Sequence, residues 1–349
     1  MNAPTLDAFL ASYERAGDSP RAAVAETVRT LAAAALRIRN EVGFGTIGAA
    51  FAATGFGKNA DGDVQRSLDI YADETFLDAA RRAPVALYAS EELAAPVHLN
   101  ADAPLALAID PLDGSSNIEA NVSIGTIFSL LPATGGPVSD PAAAFLQPGK
   151  RQLAAGFFVY GPQFALALTL GGGTRGFVFS PRMGTFVELP RRLLIDTEAR
   201  EFAINASNYR HWDEPVRLYI DDCLKGAEGP RGRDLNMRWV ASLVAEAWRI
   251  LVRGGVFLYP GDGRTGYAKG RLRLVYEANP IAMLVEQAGG AATDTATRIL
   301  DLVPEGLHQR VPLVFGGSDE VARIARYHTE PSGIAERSPL FGKRGLFRV

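Results

Sequence analysis

The spacing of apolar positions changes twice along the chain. Between residues 19 and 40, Val24, Val28, Leu31, Ala35 and Ile38 recur at three- and four-residue intervals with arginines between them. This predicts an amphipathic helix, with Ser19 as N-cap and Pro20 at the first position. Residues 54–62, TGFGKNADG, break the period with three glycines and read as a mobile loop. Val64, Leu68, Tyr71 and Thr75 then resume it in a second helix that ends before Pro84. Residues 85–89 and 104–109 are short apolar runs between breakers, the pattern of buried strands. Each stops at acids: Glu91 and Glu92 after the first, Asp110 after the second.

From 121 to 189 the pattern is strand after strand: NVSIGTIFSLL, QLAAGFFVYG, FALALTL and TRGFVFS, with Gly171, Gly172 and Gly173 forming a hairpin turn. Helices and strands then alternate. One helix is predicted over 211–225, with Val216, Tyr219, Ile220 and Cys223 on one face. A second is predicted over 237–253, with Val240, Leu243, Val244, Ala247 and Leu251 in its stripe and Gly254-Gly255 as its stop. VFLYP and RLRLVY read as strands, and Asn279-Pro280 as the N-cap and first position of a helix closed by Gly289-Gly290. VPLVF and a helix over 318–328 complete the pattern. The sum is α/β (mixed α+β), built in layers. The change of pattern near Pro190-Arg191-Arg192 divides it into two domains, 1–192 and 193–349.

Composition narrows the function. The chain has 349 residues, 36 Lys+Arg against 39 Asp+Glu, and a formal charge of −3. Near-neutrality gives no global reason to bind nucleic acid or an anionic membrane. No apolar run approaches the roughly 18 residues of a membrane span, and the first residues carry no targeting pattern. The lone Cys223 excludes an internal disulfide and a thiolate zinc cluster. It points to a reducing compartment, so a cytoplasmic location is expected.

The richest stretch is DPLDGSSN at 110–117. A buried strand delivers Asp110, Pro111 turns the chain, and Asp113 follows close enough to share a cation, with the Leu112 carbonyl between them. Hard divalent cations take oxygen ligands of this kind. Gly114, Ser115 and Ser116 offer N–H groups and hydroxyls without bulk, as a phosphate requires. Alone, the segment reads equally well as a strand-ending turn. Glu91 and Glu92 end another strand and point to opposite sides, so that one can ligate while the other handles a proton. Glu277 stands at a strand-to-helix junction, where it also suits the helix dipole. Asp63 and Asp69 are a net 120° apart on an ideal helix, so both reach one site only if Asp63 belongs to the preceding loop.

SEE at 90–92, DPLDGSSN at 110–117, GDVQRSLD at 62–69, RWVASLVAE at 238–246 and LVYEANPIAMLVEQAGG at 274–290 together resemble class I fructose-1,6-bisphosphatase, in order, over almost the whole chain. The resemblance implies a layered αβαβα sugar-phosphatase fold, a homotetramer, and hydrolysis of a sugar bisphosphate with two or three Mg²⁺ per subunit, Mn²⁺ being an alternative. It places Glu91, Asp110, the Leu112 carbonyl, Asp113 and Glu277 on metal ligands. Asp63, Asp69 and Glu92 fall on acids that complete the site and activate water. Gly114, Ser115, Ser116 and Arg273 fall at the phosphate to be cleaved. Asn205, Tyr209, Arg238, Tyr259 and Arg271 fall on the distal-phosphate pocket, Arg238 reaching a neighbouring subunit, and Leu243 lines the sugar site.

The chain also departs from that pattern. Trp239 stands where relatives have Tyr, and Arg271 where they usually have Lys, which exchanges a point charge for a fork. Arg264 and Lys269 add charge nearby. These changes leave fructose 1,6-bisphosphate and sedoheptulose 1,7-bisphosphate both open as substrates. Gly17-Asp18-Ser19-Pro20, Pro104-Leu105 and Pro132 replace the AMP-binding residues of vertebrate relatives, so weak or absent AMP inhibition is expected. The cysteine loop of chloroplast relatives is missing. An inositol or nucleotide phosphatase and a catalytically silent sugar-phosphate sensor are the alternative readings. The basic distal pocket argues against the first, and the presence of Glu92 and Asp113 against the second.

Overall fold

The computed structural model describes residues 3–16, 19–52, 63–133 and 140–330, apart from the side chains of 19, 44–52 and 63–67. The glycine-rich segment 54–62 lies outside these residues. Helix α1 (Leu6–Arg15), which the sequence pattern did not announce, is capped by Thr5, whose hydroxyl accepts the Ala8 N–H at 3.2 Å. Helix α2 (Ser19–Ala52) continues past its expected end at 40 and runs through Gly43 and Gly45. A glycine costs a formed helix only about 1 kcal/mol, too little to stop one already nucleated. Helix α3 spans Asp63–Arg81.

Eight strands follow: β1 (Val85–Ser90), β2 (Val97–His98), β3 (Leu105–Asp113), β4 (Ile124–Pro132), β5 (Ala154–Tyr160), β6 (Phe164–Thr169), β7 (Thr174–Ser180) and β8 (Thr185–Glu188). They form one sheet in the order β2-β1-β3-β4-β5-β6-β7-β8, antiparallel throughout except for the parallel pair β1 and β3. The later chain supplies β9 (Glu201–Ala203), α4 (Glu214–Leu224), β10 (Asn236–Met237), α5 (Leu243–Arg253), β11 (Val256–Tyr259), β12 (Leu272–Arg273), α6 (Asn279–Gln287), β13 (Ala291–Thr293), β14 (Arg310–Val311), β15 (Leu313–Gly316) and α7 (Ser318–Thr329). A second sheet has the order β10-β9-β11-β15-β13, and β12 pairs with β14.

Both faces of both sheets are covered. Along β5, Phe158 joins a core with Val28, Leu31 and Phe76 of the first helices, while Phe157 joins another with Val244, Ile250 and Leu284 of α5 and α6. That second core also takes Phe257 and Phe315 from the smaller sheet, whose other face packs Val256 and Val314 against Tyr219 of α4 and Ile324 of α7. The layers therefore run helix, sheet, helix, sheet, helix. Strands covered on both faces lose the polar alternation of a half-exposed sheet, which is why the middle of the chain reads as continuous apolar runs.

Two expected elements differ. The helix predicted over 237–253 begins only at Leu243, because Ala241 is left-handed (φ 62°) and the Ser242 hydroxyl caps the first turn. RLRLVY is a strand only over Leu272–Arg273. Leu274–Ala278 then winds a π turn that runs into α6, so Asn279 is a buried helical residue and not an N-cap. Pro280 has no N–H for the usual bond, which favours a widened turn ahead of it.

The space around two glycines generates opposite expectations. A Cβ on Gly125 of β4 would lie 2.1 Å from the Phe158 carbonyl oxygen and 2.7 Å from a Val244 methyl, whereas one on Gly43 of α2 meets nothing within 4 Å. Gly125→Ala should destabilise by about 1–3 kcal/mol or more, and Gly43→Ala should stabilise by about 0.5–1 kcal/mol. Denaturant midpoints would show both; a neutral Gly125→Ala contradicts the packing of β4 against α5.

Candidate active site

Because β1 and β3 are parallel, with Ser90 beside Ile109, both deliver their carboxyl ends to the same edge. The Glu91 N–H continues the pairing to the Ile109 carbonyl at 3.0 Å. Between Asp110 and Asp113 the β3–β4 register slips by one residue. Pro111 lacks a ladder donor, and its carbonyl accepts the Thr126 hydroxyl at 2.8 Å. This bulge takes Pro111 and Leu112 out of the ladder and leaves Asp110, paired with Ile127, and Asp113, paired with Gly125, on either side of it, while the π turn Leu274–Ala278 brings in Glu277 from the second half. Carboxylate oxygens of Glu91, Asp110 and Glu277 lie within 4.8 Å of one another.

Each acid has a separate anchor. Asp113 Oδ2 accepts the Val244 N–H at 3.1 Å, in the first turn of α5. Glu277 Oε2 accepts the Arg273 N–H at 2.5 Å, and Asp110 Oδ1 the Leu112 N–H at 3.1 Å. The Arg273 guanidinium pairs with Glu91 Oε1, while Glu91 Oε2 is buried without a hydrogen-bond partner. Asp69 approaches from α3 and shares a hydrogen bond with Ser115. Glu92 is exposed, its N–H donating to Ser90 Oγ at 3.2 Å. Gly114, at φ 76°, opens the single 3-10 turn Ser115–Asn117, which holds Ser115 and Ser116. Helix α3 starts at Asp63, whose side chain is outside the described residues.

Burial, followed by mutual repulsion, drives the acids toward protonation. Asp110 and Glu277 are pushed far above the usual carboxylate range, each further raised by Glu91 and Asp113, and Glu91 is raised despite Arg273. Burial lifts Asp113 to about 7 against the Val244 hydrogen bond. Burial and then Glu92 lift Asp69 to about 6. An oxygen-only donor set with an orphaned carboxylate oxygen and strong internal repulsion fits a hard divalent cation.

The candidates for the distal pocket collect at another strand edge. Strands β9, β10 and β11 are mutually parallel. Asn205, Arg238 and Tyr259 stand at or just beyond their carboxyl ends, where open α/β sheets bind ligands. Trp239 stacks on Tyr259 with centroids 6.1 Å apart and planes at 11°. Half-exposed Arg238 lies 3.5 Å from Glu201. Asn205 Oδ1 accepts the Ser207 N–H at 3.2 Å, and the Tyr209 hydroxyl is taken by Asp221 at 3.0 Å. The loop carrying Arg271, between β11 and β12, is tied to the segment after β9 by the Gly263 N–H, which donates to the His211 carbonyl at 3.0 Å. Leu243 is buried in the first turn of α5.

Sequence reasoning missed what holds the two ends together. Glu246 is fully buried; it accepts the Val240 N–H at 2.6 Å and two hydrogen bonds from Arg249, which also reaches Glu201 at 2.7 Å. The Asn117 amide donates to the Ala241 carbonyl at 2.8 Å. Segment 238–244 thus links Arg238 to Asp113. The available signal was an acid within the apolar stripe of Leu243, Val244, Ala247 and Ile250. Gly316-Gly317-Ser318, by contrast, is a strand-to-helix turn: the Gly317 N–H goes to the Gly255 carbonyl and the Asp319 N–H to that of Thr197, both at 3.0 Å.

The five-layer fold joins an acid-lined strand edge, through segment 238–244, to an edge that bears Arg238. The N-terminal half matches "Fructose-1-6-bisphosphatase, N-terminal domain" over residues 9–190, and the later half matches "Fructose-1-6-bisphosphatase, C-terminal domain" over 195–329. The chain belongs to the fructose-1,6-bisphosphatase family. It is 64% identical to a class 1 fructose-1,6-bisphosphatase of Rhizobium meliloti over 349 residues, all of both chains. To one from Xanthobacter autotrophicus it is 52% identical, over 99% of this chain and 93% of the other. The crystal structure of Leishmania major fructose-1,6-bisphosphatase in holo form superposes with a TM-score of 0.82 at 30% identity, over 95% of this chain and 100% of the other.

The raised acids set a pH dependence. A carboxyl whose pKa is higher in the folded state than in the unfolded one costs stability as pH rises from the ordinary carboxylate range through about 6 to 7, where Asp69 and Asp113 ionise. A divalent cation held by these acids would remove that cost by binding the ionised form. Millimolar MgCl2 should therefore raise the unfolding temperature by several degrees at pH 8 and by much less at pH 5. Asp113→Asn should abolish most of the difference; equal Mg²⁺ shifts at both pH values would contradict the assignment.

Proposed function

We propose that the chain hydrolyses the 1-phosphate of fructose 1,6-bisphosphate, releasing fructose 6-phosphate and phosphate, and that the same pocket takes sedoheptulose 1,7-bisphosphate. The observation that carries this is the covalent and hydrogen-bonded link, through segment 238–244, between a buried acidic cluster and a cationic strand edge. A substrate with one phosphate needs only the first end; one with two needs both.

Glu91, Asp110, Asp113, Glu277 and the Leu112 carbonyl would hold the divalent cations, two or three Mg²⁺ or Mn²⁺. Bound there, such cations neutralise a scissile phosphate, lower the pKa of a bound water and stabilise a leaving alkoxide. The remaining work belongs to the chain. Gly114, Ser115, Ser116 and Arg273 orient the phosphate to be cleaved. In this reading Asp69, raised by burial, and Glu92, which is exposed, take a proton from the attacking water, while Asp63, expected to join them from the loop, is the first residue of α3. Asn205, Tyr209, Arg238, Tyr259 and Arg271 hold the distal phosphate, and Leu243 lies against the sugar. In this reading residues 1–192 supply most metal ligands and 193–349 bind the sugar bisphosphate.

The family membership supports a homotetramer in which Arg238 serves a neighbouring subunit. No helix among the described residues is long and apolar enough to cross a membrane. A cytoplasmic enzyme of gluconeogenesis or the Calvin cycle is the setting proposed. AMP regulation is not expected, since Pro104, Leu105 and Pro132 lack the cation and the aromatic ring that would grip the nucleotide.

Phosphate release from fructose 1,6-bisphosphate, sedoheptulose 1,7-bisphosphate and inositol 1-phosphate, with and without Mg²⁺, tests the reading. Both bisphosphates should be cleaved in a Mg²⁺-dependent reaction; inositol phosphate as the best substrate would overturn it. Glu91→Gln should lower kcat/KM by about 100-fold or more and raise the Mg²⁺ concentration needed for half-maximal rate. Micromolar AMP should leave the rate unchanged.

A further inference from the structure

The loop between β11 and β12, which carries Arg271, is built around one tyrosine. The Tyr267 carbonyl accepts the N–H groups of Asp262 at 3.1 Å and Gly270 at 2.9 Å, and its own N–H donates to the Arg264 carbonyl at 3.0 Å. Gly270 is left-handed (φ 76°), and a Cβ there would lie 2.4 Å from Val311 and Pro312 backbone atoms, so the exit toward Arg271 has a single path. The backbone therefore fixes the direction in which the Tyr267 side chain leaves the loop. Two guanidinium groups lie over the Tyr267 ring, Arg264 at 4.5 Å and Arg271 at 4.9 Å from its centroid.

The two arginines are not equivalent. Arg264 is gripped by Asp262, with Nε 2.9 Å from Oδ1 and Nη2 2.5 Å from Oδ2, so its charge is largely met. Among the described residues no carboxylate pairs with Arg271, whose one contact of this kind is the ring. Arg271 also stands two residues before Arg273, at the bend that leads into β12. Arg273 reaches the acidic cluster through Glu91. A cation oriented by an aromatic face and left without a counter-ion is prepared for a ligand anion.

We propose that Tyr267 is a positioning residue for the distal phosphate: its ring, braced by the Asp262–Arg264 pair, holds the Arg271 fork toward the second phosphate of the substrate. This rests on the sugar-bisphosphatase reading above. Stacking needs the ring and not the hydroxyl, which separates positioning from a direct hydrogen bond by Tyr267.

Steady-state kinetics on fructose 1,6-bisphosphate and on fructose 1-phosphate, which lacks the distal group, test it in Y267F, Y267L, R271A and the Y267L/R271A double variant, each checked for an unchanged unfolding temperature. Y267L should raise KM for the bisphosphate about three- to ten-fold with kcat within two-fold, leave fructose 1-phosphate kinetics unchanged, and add nothing in the R271A background. Y267F should retain the parental KM. Additive effects of Y267L and R271A, or equal losses on both substrates, overturn the proposal while leaving the distal pocket intact. An R271A enzyme with unchanged KM for the bisphosphate overturns the pocket, and the proposal with it.

Discussion

Everything at the candidate site turns on the repulsion among buried carboxylates at the carboxyl edge of β1 and β3. Glu91, Asp110, Asp113 and Glu277 crowd into one desolvated space, and burial alone would leave them protonated. The first half of the chain provides three of these acids, but two of the anchoring N–H groups, from Val244 and Arg273, come from the second half. The acidic cluster is therefore a joint between the halves as well as a place for cations. The orphaned oxygen of Glu91 is the residue of that tension.

A second constraint carries the geometry to the other end. Ala241 in a left-handed conformation turns the chain between β10 and α5. That turn is held from both sides: Asn117, the last residue of the 3-10 turn after β3, donates to its carbonyl, and buried Glu246 accepts the preceding N–H of Val240. Non-glycine residues rarely adopt this backbone, and such positions persist where the surroundings over-determine them. Here the surroundings are the turn after β3 and the first turns of α5.

Legibility in the sequence followed the range of the interactions. The strand runs at 104–109, 152–161 and 164–170 were readable because continuous burial on both faces writes itself into consecutive residues. Glu91, Asp110 and Asp113 were readable because acids that end apolar strands are out of place without a reason. Residues 238–242 were misread as helical, since Val240 and Leu243 mimic a helical period, whereas Ala241 and Glu246 override it through contacts with distant parts of the chain. The π turn at Glu277 escaped for a related reason: all five of its residues are buried, and a fully buried segment has no polar face to reveal its period.

The sequence by itself determined the layered α/β class, most of the order of elements and the set of candidate acids and bases, because burial patterns and strand-ending charges are local in the chain. Tertiary structure alone decided which of those charges meet. The parallel pairing of β1 with β3 set Glu91 beside Asp110, the arrival of α5 gave Asp113 its N–H donor, and the loop around Tyr267 aimed Arg271. These are contacts between residues up to 186 positions apart, as with Glu91 and Glu277, and no spacing rule along the chain encodes them.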